Sequence, residues 1–405
     1  MDRRAFLKTG LTAASSLVAA PLIARGLVSA AQAADQITFY SLASVSGSFA
    51  STGKFMDMGS KLAVKEFGRL LDAPVGLETI DTEGSPAKAV RKVQEAIQAR
   101  GAKFFEGVTL SSEALGVSKE VAKAKGVFFT SVGADEITGS NCNRSTFNWA
   151  VPAYGAVKET VGPLIDMLPK AKRWYTITPQ YVFGEAMLAS AIDVFKEKGV
   201  EHVGGSSHSL GEQEFSGYLT NAMAAKPDVL LLLNFGGQSS ACLRQAVSFG
   251  IKQQMAILLV WSAGLDQFQE LGPDILSDVY VGAQYWHQID TPMNVELVKR
   301  VRAEYGITCP YVLTAGYIGT WLILDAIRRA GVADPTKVFQ ALEGYQYQGP
   351  TGAETIRAED HQVIKDYYLL KGKNKSAMKD ADDFFNVVSS GKSFPAVGHL
   401  ACKMD

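Results

Sequence analysis

The chain has 405 residues, of which 47% are hydrophobic and 20% are charged, and its formal net charge at pH 7 is -1. This length and composition are typical of a globular protein with room for two substantial hydrophobic cores. A net charge so close to zero gives no reason to expect nucleic acid as a partner, and no segment after the N-terminus is long and apolar enough to span a bilayer.

The first 33 residues have the features of an export signal. Arg3 and Arg4 precede an apolar stretch over 11–23, and Ala31-Gln32-Ala33 is a small-residue cleavage pattern. The apolar stretch is too short for a membrane anchor. We therefore predict a twin-arginine signal peptide over residues 1–33, cleavage near Ala33, and a mature protein that is soluble in the periplasm.

After the signal, strand, loop and helix follow one another repeatedly. The first strand, over 37–42, leads through a Ser/Gly-rich loop into a helix with apolar residues on one side. Ser85-Pro86 marks the start of the next helix, because a cap followed by proline favours helix initiation. This repetition predicts a parallel sheet with helices on both faces, whose ligands bind at the carboxyl ends of the strands. The other strands predicted here are 75–80, 103–108 and 127–130.

The loop from Thr109 to Ser112 is the first candidate for a binding site. Ser112 is a suitable N-cap for a helix over about 113–125, with Glu113 in its first turn. A helix start leaves backbone N–H groups unpaired at the positive end of the dipole, and Ser111 and Ser112 add hydroxyl donors. Such a site can hold a carboxylate without Arg or Lys. The alternative is a capped helix with no binding role.

The same alternation begins again after Pro152 and predicts a second sheet, so the fold class is α/β with two doubly wound parallel-sheet lobes. Three more helices, a turn-rich stretch over 348–352 and a strand over 361–370 follow. The strands predicted in the second sheet are 174–178, 202–203, 229–235, 257–261 and 279–283, and the predicted helices are 155–167, 185–198, 215–225, 239–249, 265–271, 294–305, 312–330 and 336–342.

Four cysteines in an exported chain can form disulfides. Cys142 lies in a polar loop and Cys402 in the C-terminal tail, so we predict a disulfide between them. Cys242 lies in an apolar helical pattern and Cys309 precedes Pro310, which favours lone packed thiols. The sequence has no metal-ligand spacing, and we expect no metal and no cofactor.

Several short segments stand in a characteristic order after the export signal: Ser46-Gly47, Ser111-Ser112, Thr130-Ser131-Val132-Gly133-Ala134, Tyr181-Val182-Phe183-Gly184-Glu185, Leu243-Arg244-Gln245-Ala246 and Gly349-Pro350-Thr351-Gly352. In this order the chain, from Ile37 to about Leu370, resembles the leucine/isoleucine/valine-type periplasmic solute-binding proteins of ABC importers. The resemblance implies two lobes that are joined by three crossings and close on a ligand like a hinge. Lobe one would comprise 34–152 and 286–361, lobe two 153–285 and 362–405, with crossings near 150–152, 283–287 and 361–365.

The resemblance also implies a ligand site and a function. A monomeric receptor, not an enzyme, would bind a small carboxylate and deliver it to an ABC importer permease in the inner membrane. The carboxylate would be held by the loop that matches Thr109, Leu110, Ser111 and Ser112 and by the segment that matches Gly133, Ala134 and Asp135. The other contact positions match Thr52, Phe183, Phe235 and Trp261, and Tyr285 joins the aromatic set.

Two departures from the family pattern leave the ligand class open. Members that bind α-amino acids place an acid in the second lobe to pair with the ammonium group, whereas the matching stretch here is Leu259-Val260-Trp261-Ser262. Asp135 either takes over that role or caps Thr138. The aromatic side chains either enclose a flat apolar ligand or pack in the core. The ligand is therefore a branched-chain or other hydrophobic amino acid, or an aromatic acid.

Two alternative functions remain on the same two-lobed fold. A secreted hydrolase is disfavoured because Gly-x-Ser-x-Gly does not occur and the five histidines have no partner acid at motif spacing. A ligand-sensing receptor of the gene-regulator kind would need a DNA-binding helix pair at the N-terminus, where the export signal stands instead. A phosphate-binding loop near Gly47 is also disfavoured, because Ser48 occupies the position of its first glycine.

Overall fold

Two large sheets organise the computed structural model, which describes residues 36–398 and 400–404. The predicted signal peptide over 1–33 lies outside the described residues. The first sheet contains β1 (Ile37–Ala43), β2 (Arg69–Leu70), β3 (Ala73–Asp81), β4 (Phe104–Gly107), β5 (Val127–Thr130) and β6 (Thr146–Asn148). Their order is β2-β3-β1-β4-β5-β6, and every pair is parallel except the hairpin of β2 with β3. We call the part of the chain built on this sheet lobe one.

The second sheet is built on the same plan and forms lobe two. It contains β7 (Arg173–Pro179), β8 (Glu201–His208), β9 (Val229–Leu232), β10 (Ala256–Leu259) and β11 (Tyr280–Ala283), which are parallel, and the later strands β15 (Tyr367–Gly372) and β16 (Phe385–Gly391). The order is β16-β15-β11-β10-β9-β7-β8, with β15 and β16 added in antiparallel fashion at one edge. A small antiparallel sheet joins β12 (Gln346–Gly349), β13 (Gly352–Ile356) and β14 (Val363–Ile364).

Helices cover both faces of each large sheet, so the central strands are buried on both sides. In β4, Phe104 packs in the cluster with the helices of one face and its neighbour Phe105 in the cluster of the other face, because successive strand side chains alternate. The helices are α1 (Ala50–Phe67), α2 (Pro86–Arg100), α3 (Ser111–Lys123), α4 (Ala153–Lys158), α5 (Val161–Met167), α6 (Val182–Lys198), α7 (Ser216–Ala225), α8 (Gly237–Ser248), α9 (Leu265–Leu271), α10 (Pro273–Leu276), α11 (Pro292–Tyr305), α12 (Tyr311–Ala330) and α13 (Pro335–Leu342).

The chain passes between the lobes three times, after β6, after β11 and after β14. Side chains join these crossings to one another. The Gln284 amide accepts from the Val151 N–H at 2.9 Å and donates to the Val151 carbonyl at 2.7 Å. The Lys365 ammonium donates to the Gln284 carbonyl at 2.7 Å. The three crossings therefore form one hydrogen-bonded unit.

The C-terminal tail makes a further connection between the lobes. It leaves lobe two at the end of β16, and Cys402 is disulfide-bonded to Cys142 in lobe one. This is the pairing that the sequence predicts. The Arg357 guanidinium also donates to the Pro395 carbonyl at 3.0 Å. The tail is thus attached to lobe one, although the resemblance assigns all of 362–405 to lobe two.

The other two cysteines, Cys242 and Cys309, are free and buried, as predicted. Among the described residues, no group of three or more His, Cys, Asp or Glu side chains is arranged to hold a metal ion. Within 36–398 and 400–404, no helix combines the length and the apolar character needed to cross a bilayer.

Some predicted elements are divided or incomplete. The helix predicted over 155–167 is two helices, α4 and α5, because Pro163 has no N–H to donate to the preceding turn. The strand predicted over 361–370 is divided between β14 and β15, since Lys365 and Asp366 form a crossing between the lobes. The predicted strand 202–203 extends to His208, because β7 supplies hydrogen-bond partners for a segment of low strand propensity, Gly204-Gly205-Ser206-Ser207.

Candidate functional site

A cleft lies between the lobes, where the carboxyl ends of strands from both large sheets face each other. Its lobe-one wall comes from the start of α1, the loop between β4 and α3, the loop after β5 and the start of α12. Its lobe-two wall comes from the segments after β7, β9 and β10. The lining residues are Thr52, Met56, Val108, Thr109, Ser111, Ser131, Val132, Gly133, Tyr181, Phe183, Phe235, Trp261, Tyr311, Val312 and Ala315.

The loop after β4 turns sharply at Val108. The Val108 N–H donates to the Leu42 carbonyl at 2.6 Å, and its φ is 66°. A positive φ is costly for a β-branched residue and tends to occur at functional sites, where the surrounding structure holds it in place. The turn directs the next residue, Thr109, into the cleft.

The helix α3 begins differently from the prediction. Ser112 is not the N-cap: the cap position is Leu110, and Ser111 is the first helical residue. The Glu113 carboxylate folds back and accepts the N–H groups of Thr109 at 3.1 Å and Leu110 at 2.9 Å. A carboxylate at the third helical position that accepts the N-cap amide is a known helix-start arrangement. Two of the amides expected to face a ligand are therefore already paired.

Hydroxyl groups supply donors in place of those amides. Thr109 Oγ1 and Ser131 Oγ are buried and have no hydrogen-bond partner in the described part of the chain, and both residues line the cleft together with Ser111. An unsatisfied buried polar group costs about 1 to 3 kcal/mol, which a ligand that accepts its hydrogen bond can recover. The two hydroxyls thus mark a place where a bound group would accept hydrogen bonds.

Three helices present their N-terminal ends to this part of the cleft. Thr52 lies in the first turn of α1, Ser111 is the first residue of α3, and Tyr311 is the first residue of α12. The N-terminal end of a helix dipole stabilises a negative charge. The Tyr311 hydroxyl donates to the Ser131 carbonyl at 3.2 Å, which joins α12 to the loop after β5. The local electrostatics therefore favour an anion.

The lobe-two wall is aromatic. Phe183 and Trp261 meet edge to face with their ring centroids 5.0 Å apart, and Tyr181 lies 5.8 Å from Phe183. Burial raises the pKa of the Tyr181 hydroxyl above its usual range, so this group stays neutral. Among the described residues that line the cleft, none carries a formal charge at neutral pH. The cleft combines hydroxyl donors on one wall with aromatic rings on the other.

Comparison with known proteins identifies the family. A family model described as periplasmic binding protein matches residues 36–377.

The chain belongs to the periplasmic binding protein family.

A Leu/Ile/Val-binding protein homolog 4 from Brucella abortus (strain 2308) is 24% identical over 393 residues, covering 90% of this chain and 88% of the relative. The crystal structure of an amino acid ABC transporter substrate-binding protein from Pseudomonas fluorescens Pf-5 is 64% identical, with a TM-score of 0.90, covering 92% of this chain and 100% of that chain. The predicted resemblance to leucine/isoleucine/valine-type proteins is thereby confirmed.

A third comparison shows the fold alone. A solute-binding protein of an ABC transporter from Rhodopseudomonas palustris BisB5, solved in complex with 3,4-dihydroxybenzoic acid, is 21% identical with a TM-score of 0.80, covering 88% of this chain and 97% of that chain. The two-lobed α/β architecture predicted from the sequence is thus confirmed by proteins of the same family and fold.

The structure brings seven of the predicted site residues to the cleft: Thr52, Thr109, Ser111, Gly133, Phe183, Phe235 and Trp261. Five others lie outside its lining. Leu110 and Ala134 are buried apolar residues, and Ser112 is a half-buried residue in the second position of α3, because the helix begins earlier than predicted. The Tyr285 hydroxyl donates to Asn294 Oδ1 at 2.5 Å within the core of lobe one.

Asp135 takes neither of the two roles considered for it. Its Oδ1 accepts the Tyr154 N–H at 3.1 Å at the start of α4, and Thr138 donates its hydroxyl to Gln362 instead. Burial raises the pKa of Asp135 to about 7, although the hydrogen bond from the Tyr154 N–H acts in the opposite direction. Asp135 lines a separate cavity with Glu136 and Asp193. It is therefore not placed to pair with a ligand ammonium group in the main cleft.

The lining residues that the sequence reasoning missed come mainly from α12. Tyr311, Val312 and Ala315 reach the cleft because α12 packs very closely on α1. A Cβ at Gly316 would lie 2.1 Å from the Met56 carbonyl oxygen, so only glycine permits this approach. The proline at the cap position and the long apolar run of α12 can be recognised in the sequence. The contact of this helix with the cleft cannot. The other residues missed are Met56, Val108, Ser131, Val132 and Tyr181.

Proposed function

We propose that this periplasmic binding protein captures a small apolar carboxylate in the cleft between its lobes and delivers it to the permease of an ABC importer. The observation that carries the proposal is the pair of unpartnered buried hydroxyls, Thr109 Oγ1 and Ser131 Oγ, beside three helix N-termini. These groups suit a carboxylate, which accepts several hydrogen bonds and carries one negative charge.

Within this class, we favour an aromatic acid over an amino acid. The described cleft residues include no carboxylate to pair with an ammonium group, and Asp135 lies elsewhere. A buried ammonium group without a partner is costly. The rings of Phe183, Phe235 and Trp261 offer a surface for a flat apolar group. The R. palustris relative bound to 3,4-dihydroxybenzoic acid is consistent with this choice, whereas the P. fluorescens relative is described as an amino acid transporter component.

The mechanism we propose is hinge closure. Lobe one would take the carboxylate first, and closure would bring Phe183 and Trp261 onto the apolar part. Closure buries the carboxylate in a drier site, which strengthens its hydrogen bonds. Selective binding to the closed form would couple ligand to transport. We propose a monomeric receptor that is exported by the signal over 1–33, works in the periplasm and needs no cofactor.

We also propose lobe boundaries, which keep the first two crossings expected from the resemblance and follow the strand pairing at the third, where the resemblance gives lobe one as 34–152 and 286–361 and lobe two as 153–285 and 362–405. Lobe one would instead span 34–152, 286–364 and the last residues of the tail, and lobe two 153–285 and the chain from 367 to the end of β16. Pairing of β14 with β13 supports moving the third crossing to Lys365 and Asp366, and the Cys142–Cys402 disulfide supports assigning the last residues to lobe one.

Calorimetric titration with benzoate and with leucine tests the ligand site. Ser111→Ala and Thr109→Val should each weaken the binding of benzoate by about 1 to 3 kcal/mol, because each removes a hydrogen bond to a charged group. Ser112→Ala is the matched control, since this neighbouring hydroxyl lies outside the cleft lining and should leave affinity unchanged. Equal affinities for all three variants would contradict the site, and binding of leucine but not benzoate would overturn the preference for aromatic acids.

A further inference from the structure

The Glu113 side chain is fully buried at the edge of the proposed anion site. Its Oε2 accepts the N–H groups of both Thr109 and Leu110. The hydroxyl of Thr109 lines the cleft. A buried carboxyl group therefore holds, through the backbone, the residue that presents a donor to the ligand. This arrangement is unusual because the proposed ligand is itself negatively charged.

From this geometry, and resting on the proposed function, we propose that Glu113 is a positioning residue with two linked roles. Its carboxyl group fixes the loop that presents Thr109 and Ser111 to the cleft, and the binding of a carboxylate ligand is coupled to the uptake of a proton by Glu113. The first role needs only a hydrogen-bond acceptor at this position. The second role follows from the closeness of two acidic groups.

The distance between the two acids can be bounded from the chain. A ligand oxygen bonded to Thr109 Oγ1 would lie at most about 9 Å from Glu113 Oε2, because two hydrogen-bond lengths and the span between the threonine N and Oγ1 add up to about that distance. Two negative charges this close in a buried region repel each other appreciably. Protonation of one of the two carboxylates removes this repulsion. We assign the proton to Glu113, which belongs to the protein and is present both with and without ligand.

The surroundings of Glu113 already raise its pKa above that of an exposed glutamate. Burial raises its pKa, and the negative charge of Asp81 at the end of β3 raises the pKa further. The N–H groups of Thr109 and Leu110 and the nearby Thr82 hydroxyl act in the opposite direction. Asp81 is held ionised, because hydrogen bonds from Ser46 and Glu83 and the charge of Lys92 lower its pKa in spite of desolvation. A protonated Glu113 can still accept both N–H groups through its carbonyl oxygen.

The direction of the pH dependence follows from this assignment. Ligand binding raises the pKa of Glu113, so the complex binds more protons than the free protein. The affinity for a carboxylate probe should therefore increase as the pH falls toward the pKa of Glu113 in the free protein, which is above the usual glutamate value. Without this coupling, affinity for an ionised probe would be flat over the same range.

The test is calorimetry with benzoate in two buffers of different ionisation enthalpy, from about pH 8.5 to about pH 5.5. Wild-type protein should take up a fraction of a proton per benzoate bound. Glu113→Gln keeps an amide oxygen as acceptor and lacks the charge, so it should bind benzoate at least as tightly at the alkaline end, with no proton uptake and a flat pH profile. Glu113→Ala leaves two buried N–H groups unpaired and should bind about tenfold or more weakly at every pH.

Glu120→Gln is the matched control, because it removes the same charge from α3 at a position that pairs with Lys123 and Gln94 away from the cleft. It should retain the wild-type proton uptake. Binding of benzoate by wild-type protein with no proton uptake, or equal pH profiles for wild type and Glu113→Gln, would overturn the coupling.

Hydrogen exchange at the Thr109 and Leu110 amides tests the positioning role without any ligand. Glu113→Ala should accelerate exchange at both amides, and Glu113→Gln should preserve protection. Unchanged exchange in Glu113→Ala would overturn this role. If neither benzoate nor leucine binds wild-type protein at any pH, the proposed function fails together with the coupling, whereas the amide exchange still decides whether Glu113 positions the loop.

Discussion

At Gly133 the backbone of lobe one lies directly against two aromatic rings of lobe two. A Cβ at this position would lie 2.3 Å from Phe183 Cε2 and 2.7 Å from Trp261 Cζ3. Both distances are shorter than real contacts of a Cβ, so the aromatic rings of lobe two rest directly on the backbone of lobe one. Residue 133 must therefore lack a side chain. We interpret Gly133 as the contact point of lobe one with the aromatic rings of lobe two in the closed form.

We predict that Gly133→Ala opposes closure without unfolding either lobe. Overpacking at the contact should disfavour the closed form by about 1 to 3 kcal/mol and weaken ligand binding accordingly. Small-angle scattering with and without benzoate measures the closure, and chemical denaturation measures the stability of the fold. Gly217→Ala is the control, because a Cβ there has no neighbour within 4 Å. If the Gly133→Ala variant becomes as compact as wild type at the same benzoate concentration, the interpretation is refuted.

At the scale of elements, the three crossings are held together by a buried lysine. Lys365 donates to the carbonyl and the side-chain oxygen of Gln284 and to the Asp366 carbonyl, at 2.7 to 3.2 Å, and its ammonium lies 4.3 Å from the ring centre of Trp149. Burial lowers the pKa of Lys365 to about 7; the charges of Glu354 and Asp366 act in the opposite direction, and Lys392 adds to the lowering. The hinge is thus built around a lysine that titrates near neutral pH.

We predict that this lysine makes stability depend on pH. The unfolded chain binds a proton at Lys365 up to a pKa of about 10.4 and the folded protein only up to about 7, so unfolding takes up a proton between these values. The free energy of unfolding of wild type, relative to Lys365→Met, should therefore rise by about 2 kcal/mol between about pH 7 and about pH 8.5. Denaturant titration at the two pH values measures the difference.

Lys371→Met, a change at a more exposed lysine in β15, serves as the control for this experiment. Its stability relative to wild type should not vary over the same range. A constant difference between wild type and Lys365→Met would show that the lysine titrates outside this window.

At the scale of the whole molecule, the disulfide closes the chain on itself. Cys142 and Cys402 are 260 residues apart, and the bond joins a tail that leaves the lobe-two sheet to a loop of lobe one. The Lys392 ammonium strengthens this link by donating to the Ala353 carbonyl at 2.8 Å. The lobes are therefore connected by three chain crossings and by the disulfide-bonded C-terminal tail.

We predict that removing the Cys142–Cys402 disulfide lowers the stability of the protein. The double change Cys142→Ser and Cys402→Ser frees a very long loop in the unfolded chain and should lower the free energy of unfolding by about 3 to 5 kcal/mol. Denaturant titration of the two oxidised proteins checks this value, and a second titration is made with a reductant added to both proteins. The reductant should destabilise wild type and leave the double variant unchanged, because Cys242 and Cys309 are free thiols. Equal stability of the two oxidised proteins would contradict the prediction.

The sequence alone determined the architecture of this protein. The alternation of strand, loop and helix is local, and buried parallel strands such as 127–130 are recognisable as short apolar runs. The cysteine pairing could also be predicted, because Cys142 lies in a polar loop and Cys402 in the C-terminal tail. Cys242 lies in an apolar helical pattern and Cys309 precedes Pro310, which favoured free thiols. Ser111 could be placed near a cleft because topology brings the carboxyl ends of parallel strands together. Phe183 was assigned to the site through the family resemblance.

Only the tertiary structure decided which groups face the ligand. The fold-back of Glu113 moved the start of α3 and paired the amides of Thr109 and Leu110, and Asp135 turned toward Tyr154. A shift of one residue rotates a helical side chain by about 100°, so a small error in a helix start changes the lining of a site. Tyr311, which lines the cleft, lies 180 residues after Ser131, the residue to which its hydroxyl donates. Such contacts depend on packing between distant elements, and no local pattern in the sequence records them.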